Sequence, residues 1–364
     1  MKHTPSRALR GAALVLALGL LPVAGAWAAQ SITVSTNVAH YVCGNGNAAD
    51  NGHSPCDQTP VGNTVTINSG VTVTGNAYGA DNTIDATSVT GNRVDVKGTV
   101  TGAVYGGSHY RNIGVNSDNV TASNNTVTIV PGSVVASDVR GGYAAGFGNA
   151  TASGNTVEIS GGTITGQIVG GAASSTAGGT MTATNNTVTI KGTPTFTGVT
   201  QLRGGSAGTS GTSTGNTLNL HTAGLTVDFL SSFQNLNFYL PTGLAPGGNM
   251  LSVNGVADLG ANAVVTVNLE GAGPALHTGD TFNLISAGGG ITYGSSIDPT
   301  SASGVLKGYN YTLAIDGENL VLTIGNPVPV TTSAAAVPTL GEYALAALAA
   351  LLAAMTFFTL RRKV

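Results

Sequence analysis

The sequence predicts an all-β fold: a right-handed parallel β-solenoid, preceded by a signal peptide and followed by one transmembrane helix. Three observations carry that expectation. An Asn-led strand motif recurs six times at intervals of about 30 residues. Within each copy apolar and polar residues alternate, which is the strand period. The composition also leaves no material for a large aromatic core: only 5% of the 364 residues are aromatic and 54 are glycine.

Charge narrows the class further. Asp, Glu, Lys and Arg make up 8% of the chain, against about 25% in ordinary globular proteins. Six of the 13 basic residues sit at the two ends, leaving 7 between them against 16 acidic ones. That middle is mildly acidic and has no basic stripe, so a nucleic-acid partner is not expected. A hydrophobic content of 41% argues against disorder.

The N-terminus has the layout of a secretory signal. Lys2, Arg7 and Arg10 precede the apolar stretch Gly11 to Gly25, and Ala26-Trp27-Ala28 offers small residues for cleavage after Ala28. Residues 1–28 are therefore read as the signal peptide and 29–62 as an N-terminal cap. Export makes a disulfide between Cys43 and Cys56 the expected state, closing the loop Gly44 to Pro55. Two free thiols, or a metal site drawing on Cys43, His53, Cys56 and His40, are the other readings of the same residues.

The repeats occupy 63–224. They read Asn63-Thr64-Val65-Thr66-Ile67, then Asn92-Arg93-Val94-Asp95-Val96, then Asn125-Thr126-Val127-Thr128-Ile129. Asn155-Thr156-Val157-Glu158-Ile159, Asn186-Thr187-Val188-Thr189-Ile190 and Asn216-Thr217-Leu218-Asn219-Leu220 complete the series. One unit cannot bury its aliphatic residues alone, but stacked units can, at about 4.8 Å per turn. Six turns predict a coil of about 25–30 Å. The leading Asn suits either an internal amide ladder or a turn, and the spacing leaves both open. Paired glycines (Gly106-Gly107, Gly141-Gly142, Gly170-Gly171, Gly204-Gly205) are expected to supply unusual backbone angles at corners. The small-residue stretches Ala144 to Gly154 and Ala172 to Asn185 are expected to be loops. Residues 225–325 keep strand patterning without the period, and 326–336 form a Pro/Thr/Ala-rich linker.

The C-terminus, 337–364, has three parts. Val337-Pro338-Thr339-Leu340-Gly341-Glu342-Tyr343 precedes the uncharged run Ala344 to Leu360, and Arg361, Arg362 and Lys363 follow as a membrane-stop cluster. This layout resembles the bacterial IPTL-CTERM protein-sorting domain, with Val337, Pro338, Thr339, Leu340, Glu342 and Tyr343 at the motif positions. Val337 stands for the family's Ile, Tyr343 for its Trp and Ala344 for its Gly. The resemblance implies export from a Gram-negative bacterium and anchoring in the inner membrane during sorting. It further implies a membrane-embedded sorting protease of the exosortase type and a final place at the cell surface or outside the cell. The repeats and the segment Asn249 to Ala287 are similar to autotransporter passenger domains, although no barrel strands follow.

Enzymatic chemistry finds little support. Asp81, Asp85, Asp95, Asp118, Asp138 and Glu158 are the candidate carboxylates of a carbohydrate-active solenoid, the alternative reading. Asp95 and Glu158 share a repeat phase but lie two turns, about 10 Å, apart, at the upper end for an inverting pair. His109, with Tyr110 and Arg111, reads either as a ligand contact or as part of a solvated loop. No catalytic residue, metal or cofactor is assigned. The rows Thr64/Thr66, Thr126/Thr128 and Thr187/Thr189 break at Arg93, Asp95 and Glu158, which argues against a flat ice-binding face. The expected role is adhesion or surface structure, with surface glycans or host matrix as partners.

Overall fold

The structure is a computed structural model that describes residues 29–46, 56, 59–82, 88–110, 119–199, 201–260, 263–293, 303–329 and 340–361. The proposed signal peptide, His53, Asp85, Asp118 and Arg111 lie outside the described residues. The chain divides into two compact units, Met1–Asn326 and Pro327–Val364.

The first unit is a parallel β-solenoid of the right-handed type with about eight turns. Its first sheet stacks nine strands in chain order: Ser31–Val34, Thr64–Ile67, Arg93–Val96, Thr126–Ile129, Thr156–Ile159, Thr187–Ile190, Thr217–Leu220, Asn235–Leu240 and Val264–Leu269. Every neighbouring pair is parallel and in register, so Val65, Val94, Val127, Val157, Val188 and Leu218 form one row. All six are fully buried, as is the parallel row from Ile67 to Leu220. The alternate side chains, including Thr126 and Thr128, face outward and are partly exposed.

The coil begins earlier and ends later than the sequence repeat. Ser31–Val34 pairs with Thr64–Ile67 upstream of the first Asn-led unit, and parallel pairing continues to Ile291–Thr292. At about 4.8 Å per turn, eight turns extend about 38 Å, longer than the six-turn expectation. The repeat fades beyond Leu220 because the next turn contracts. Asn235 sits above Thr217 after only 18 residues, by the numbering of the paired residues.

A second, short sheet (Thr72–Val73, Thr99–Val100, Val134–Val135, Thr163–Ile164, Thr195–Phe196) closes the second side. The third sheet runs through Val42–Cys43, Ala77–Tyr78, Val104–Tyr110, Val139–Gly146, Ile168–Ser175, Gln201–Ser206, Phe229–Ser231, Ala257–Asp258 and Ile291–Thr292. Val73, Val100 and Val135 from the second sheet meet Val104, Val139 and Ile168 from the third in the same dry core.

The stretches expected to be loops are largely strand, broken only by turns at residues 147–149 and 176–180. Ala150–Ser153 and Met181–Thr184 belong to a fourth sheet with Ser88–Thr90, Val120–Ser123 and Thr212–Thr214. Ala144, Ala150, Ala152 and Ala173 pack with Val120 and Ala122 in a second, small core. Methyl side chains suffice because the fourth sheet lies close against the third.

The recurrent asparagines resolve as an internal amide ladder. Asn63, Asn92, Asn125, Asn155, Asn186 and Asn216 are all buried. In the middle of the ladder, the Asn125 backbone N–H and Nδ2 both donate to Asn155 Oδ1 at 3.0 Å, and Asn125 Nδ2 also donates to Val89 O at 3.1 Å. Asn155 repeats the pattern onto Asn186 Oδ1 and Ala122 O. The residue preceding each ladder Asn has positive φ, and it is always Gly or Asn: Gly62, Gly91, Asn124, Gly154, Asn185, Gly215. These two types tolerate that conformation best. Glutamines close both ends: the Gln30 N–H donates to Asn63 Oδ1 and the Asn216 N–H to Gln234 Oε1.

The ladder also corrects the reading of the paired glycines. None of the four pairs has positive φ. Their role is room. A Cβ at Gly142 would lie 2.5 Å from the Asn155 amide, and one at Gly107 would lie 2.6 Å from that of Asn125. The second glycine of each pair is small because the asparagine leading the next unit fills the space beside it, joined at Gly205 by Ser213 and Ala183.

The coil ends in antiparallel structure. Asn319–Pro327 pairs antiparallel with Thr281–Ala287, and Ser303–Leu306 forms an antiparallel pair with Tyr309–Asp316. These strands cover part of an edge that would otherwise offer unpaired backbone groups.

The second unit contains a helix, Leu340–Arg361. The transmembrane expectation is corrected: among the described residues no helix is long and apolar enough to cross a membrane.

The ladder predicts a measurable coupling. Asn155→Ala strands two buried donors of Asn125, and should lower unfolding free energy by about 4 kcal/mol. Gly142→Ala should also destabilise. In the double variant the extra methyl enters the space the amide leaves, so urea unfolding should show less than the sum of the two losses, by about 1 kcal/mol or more.

Candidate functional site

Among the described residues, aromatic side chains gather on one strip of the third sheet. In-register pairing places Cys43, Tyr78, Tyr105, Arg140, Val169 and Arg203 in one column along the coil axis. Tyr41 meets Tyr78 edge-on at 6.2 Å, and Tyr78 stacks on Tyr105 at 5.1 Å. Tyr105 lies 6.0 Å from Tyr143, which stacks with Tyr110 at 6.5 Å. Five of the chain's 10 tyrosines are thus on this strip. The Arg140 guanidinium lies 5.1 Å from the Tyr143 ring centroid and 5.8 Å from that of Tyr105, within cation–π range.

Burial governs the electrostatics here. It pushes the Tyr78 phenol well above the ordinary tyrosine range, and the Asn76 hydrogen bond (2.7 Å) offsets only part of that. Burial raises Tyr105 as well, against the lowering effect of Arg140. Asp81, at the edge of the strip, is raised by burial despite its hydrogen bond with Ser108. Arg203 is lowered by burial alone, and its Nε has no hydrogen-bond partner among the described residues. Arg140 Nε likewise has no partner among the described residues, but its Nη2 donates to Asp138 at 2.8 Å.

The candidate carboxylates are distributed rather than convergent. Asp95 and Glu158 face outward on the first sheet, with Thr128 between them in register. Asp95 pairs with Arg93 at 2.6 Å and Glu158 pairs with Lys191. Arg93 is raised above its usual range chiefly by its hydrogen bond to Asp95. Asp138 and Asp81 belong to the third-sheet side, where Asp138 also accepts from the Gln167 N–H at 3.0 Å.

His109 is not in a solvated loop. It is buried at the end of the strand Val104–Tyr110, and the Thr121 N–H donates to its Nδ1 at 3.2 Å. Strand continuation past the glycine pair carries it inward. Cys43 and Cys56 form a disulfide with Cα atoms 6.1 Å apart, so their sulfurs are bonded to each other. Among the described residues no group of three or more His, Cys, Asp or Glu side chains could hold a metal ion.

At the C-terminus, Val337, Pro338 and Thr339 lie outside the described residues, as do Arg362 and Lys363. Leu340 opens the helix, Glu342 is in its first turn, Tyr343 is exposed and Arg361 is the last helical residue. Residues 335–362 match a known family model. It is the IPTL-CTERM motif. The IPTL-CTERM motif indicates an exported protein anchored at the cell surface, and it implies a sorting-system partner of the exosortase type in general. The parallel repeats of the preceding unit are consistent with the likeness to passenger domains. No curated protein and no solved structure matches the chain.

The tyrosine strip was missed by sequence reasoning. Tyr78, Tyr105 and Tyr143 follow no common phase of the Asn-led unit until the third-sheet register is known. The one available signal was a Tyr next to, or just before, a glycine pair.

The buried phenols give a pH prediction. A folded-state pKa raised above the unfolded value contributes stability that is present below about pH 10 and is lost as pH rises through the folded pKa. Spectrophotometric titration should therefore show Tyr78 and Tyr105 ionising late, together with loss of structure. Replacement of both by Phe should remove the late component.

Proposed function

We propose that this chain is a non-catalytic surface protein of a Gram-negative bacterium, acting in adhesion or in the structure of the surface layer. The IPTL-CTERM match at residues 335–362 is the observation that carries the reading. A sorting protease of the exosortase type, embedded in the inner membrane, is the proposed partner in processing. Pro338 and Thr339 are the proposed recognition positions.

The solenoid supports the second half of the proposal. Stacked turns repeat the same outward positions every few ångströms, so one weak contact is presented many times at high effective concentration. Outward carboxylates on the first sheet are held in ion pairs with Arg93 and Lys191, an arrangement suited to a solvated surface rather than to proton transfer. Surface glycans or host matrix are the proposed contacts.

Deletion of the gene should reduce attachment and biofilm mass several-fold; unchanged values would remove the adhesion reading. Replacing Pro338-Thr339 by Ala-Ala should leave an unprocessed precursor in the membrane fraction, seen as a mass shift on immunoblot. Identical fractionation and mass would count against sorting through this motif.

A further inference from the structure

The third-sheet strip combines two features that ordinary solvated strands lack. The first is a cluster of tyrosine rings 5.1–6.5 Å apart, with Tyr78, Tyr105 and Tyr143 on successive turns and Tyr110, on the strand of Tyr105, beside Tyr143. Tyr78 and Tyr105 turn their faces to one another, so the cluster offers ring edges and phenolic hydroxyls outward. The second is a pair of guanidiniums in the same column, Arg140 and Arg203, two turns or about 10 Å apart with Val169 between them. Such a spacing is of the order of one disaccharide along an extended glycan.

The charges on this column are unequal. Arg140 already holds Asp138, whereas Arg203 is half-buried and no carboxylate among the described residues offsets its charge. A partly desolvated guanidinium without a counter-ion gains most from a carboxylate brought in by a ligand, because the fork geometry of both groups matches.

We propose that this strip, Tyr78, Tyr105, Arg140, Tyr143 and Arg203, binds an acidic polysaccharide lying along the coil axis. Sugar hydroxyls and C–H edges meet the tyrosine edges and phenols, and uronate carboxylates meet the guanidiniums, Arg203 first. The inference rests on the surface-contact reading above and names the ligand class it left open.

The test uses the full-length purified chain with two probes: polygalacturonate and its fully methyl-esterified form. The wild type should prefer the acid, with a preference that shrinks as salt rises. Arg203→Gln should weaken acid binding by about tenfold and leave ester binding unchanged. Arg203→Lys keeps the charge but not the fork, so its acid preference should fall between wild type and Arg203→Gln, which separates loss of charge from misfolding. Tyr105→Leu with Tyr143→Leu should weaken both probes, whereas Thr128→Gln on the first sheet should weaken neither. Equal binding of acid and ester by the wild type, or an unchanged acid affinity in Arg203→Gln, overturns the proposal whatever the attachment assay returns. Acid preference in a protein whose deletion leaves attachment unaltered supports this site while removing the adhesion reading.

Discussion

Six buried asparagine side chains, each bonded to the next, set the constraint on which the coil depends. A buried amide without partners is costly, and the low dielectric around it makes both its satisfaction and its loss weigh more. Each interior amide here uses its oxygen for two donors from the turn before, and its nitrogen for the following amide and a backbone carbonyl. That geometry exists at one register only. A slip of a single residue would turn every Val and Ile outward and break the series of matched amides. The aliphatic rows supply most of the burial, but they would tolerate several sizes of neighbour. The amides do not, and they fix which turn lies on which.

Two local features follow from the ladder. The residue before each asparagine takes positive φ so that the chain can turn inward at the corner, hence Gly or Asn at all six places. Across the interior, the third sheet must carry a residue with no side chain where the amide projects, hence the second glycine of each pair. A motif of two residues in one strand region and two in another is therefore one structural device, written partly in one unit and partly at the start of the next.

Much of the coil was legible because its period is carried by side chains of unlike chemistry. Asn63, Asn92 and their successors mark a corner, and Val-x-Ile marks the strand that follows. The fourth sheet was illegible for the opposite reason: Met181 apart, Ala150–Ser153 and Met181–Thr184 hold only small or polar residues, so inside and outside read alike. Paired glycines were seen but their reason was not, since sequence cannot tell a residue chosen for its angle from one chosen for its size. His109 was misplaced because the strand continues past such a pair rather than ending at it. The tyrosine strip depends on register between strands separated by intervals from 27 to 35 residues, judged from the paired positions themselves. No single unit contains that information. The helix Leu340–Arg361 was foreseen as an element, whereas a membrane span does not follow from its described residues.

Gln30 and Gln234 stand at the two ends of the amide series, where the longer side chain or its backbone meets the terminal asparagines. Because closure is delegated to residues outside the six copies, no internal copy is committed to a terminal job. Duplication or loss of one whole copy by recombination would leave both ends intact and change the protein by a single winding. Length in such a lineage is then a quantity that selection can adjust in small increments, without first inventing a new way to stop.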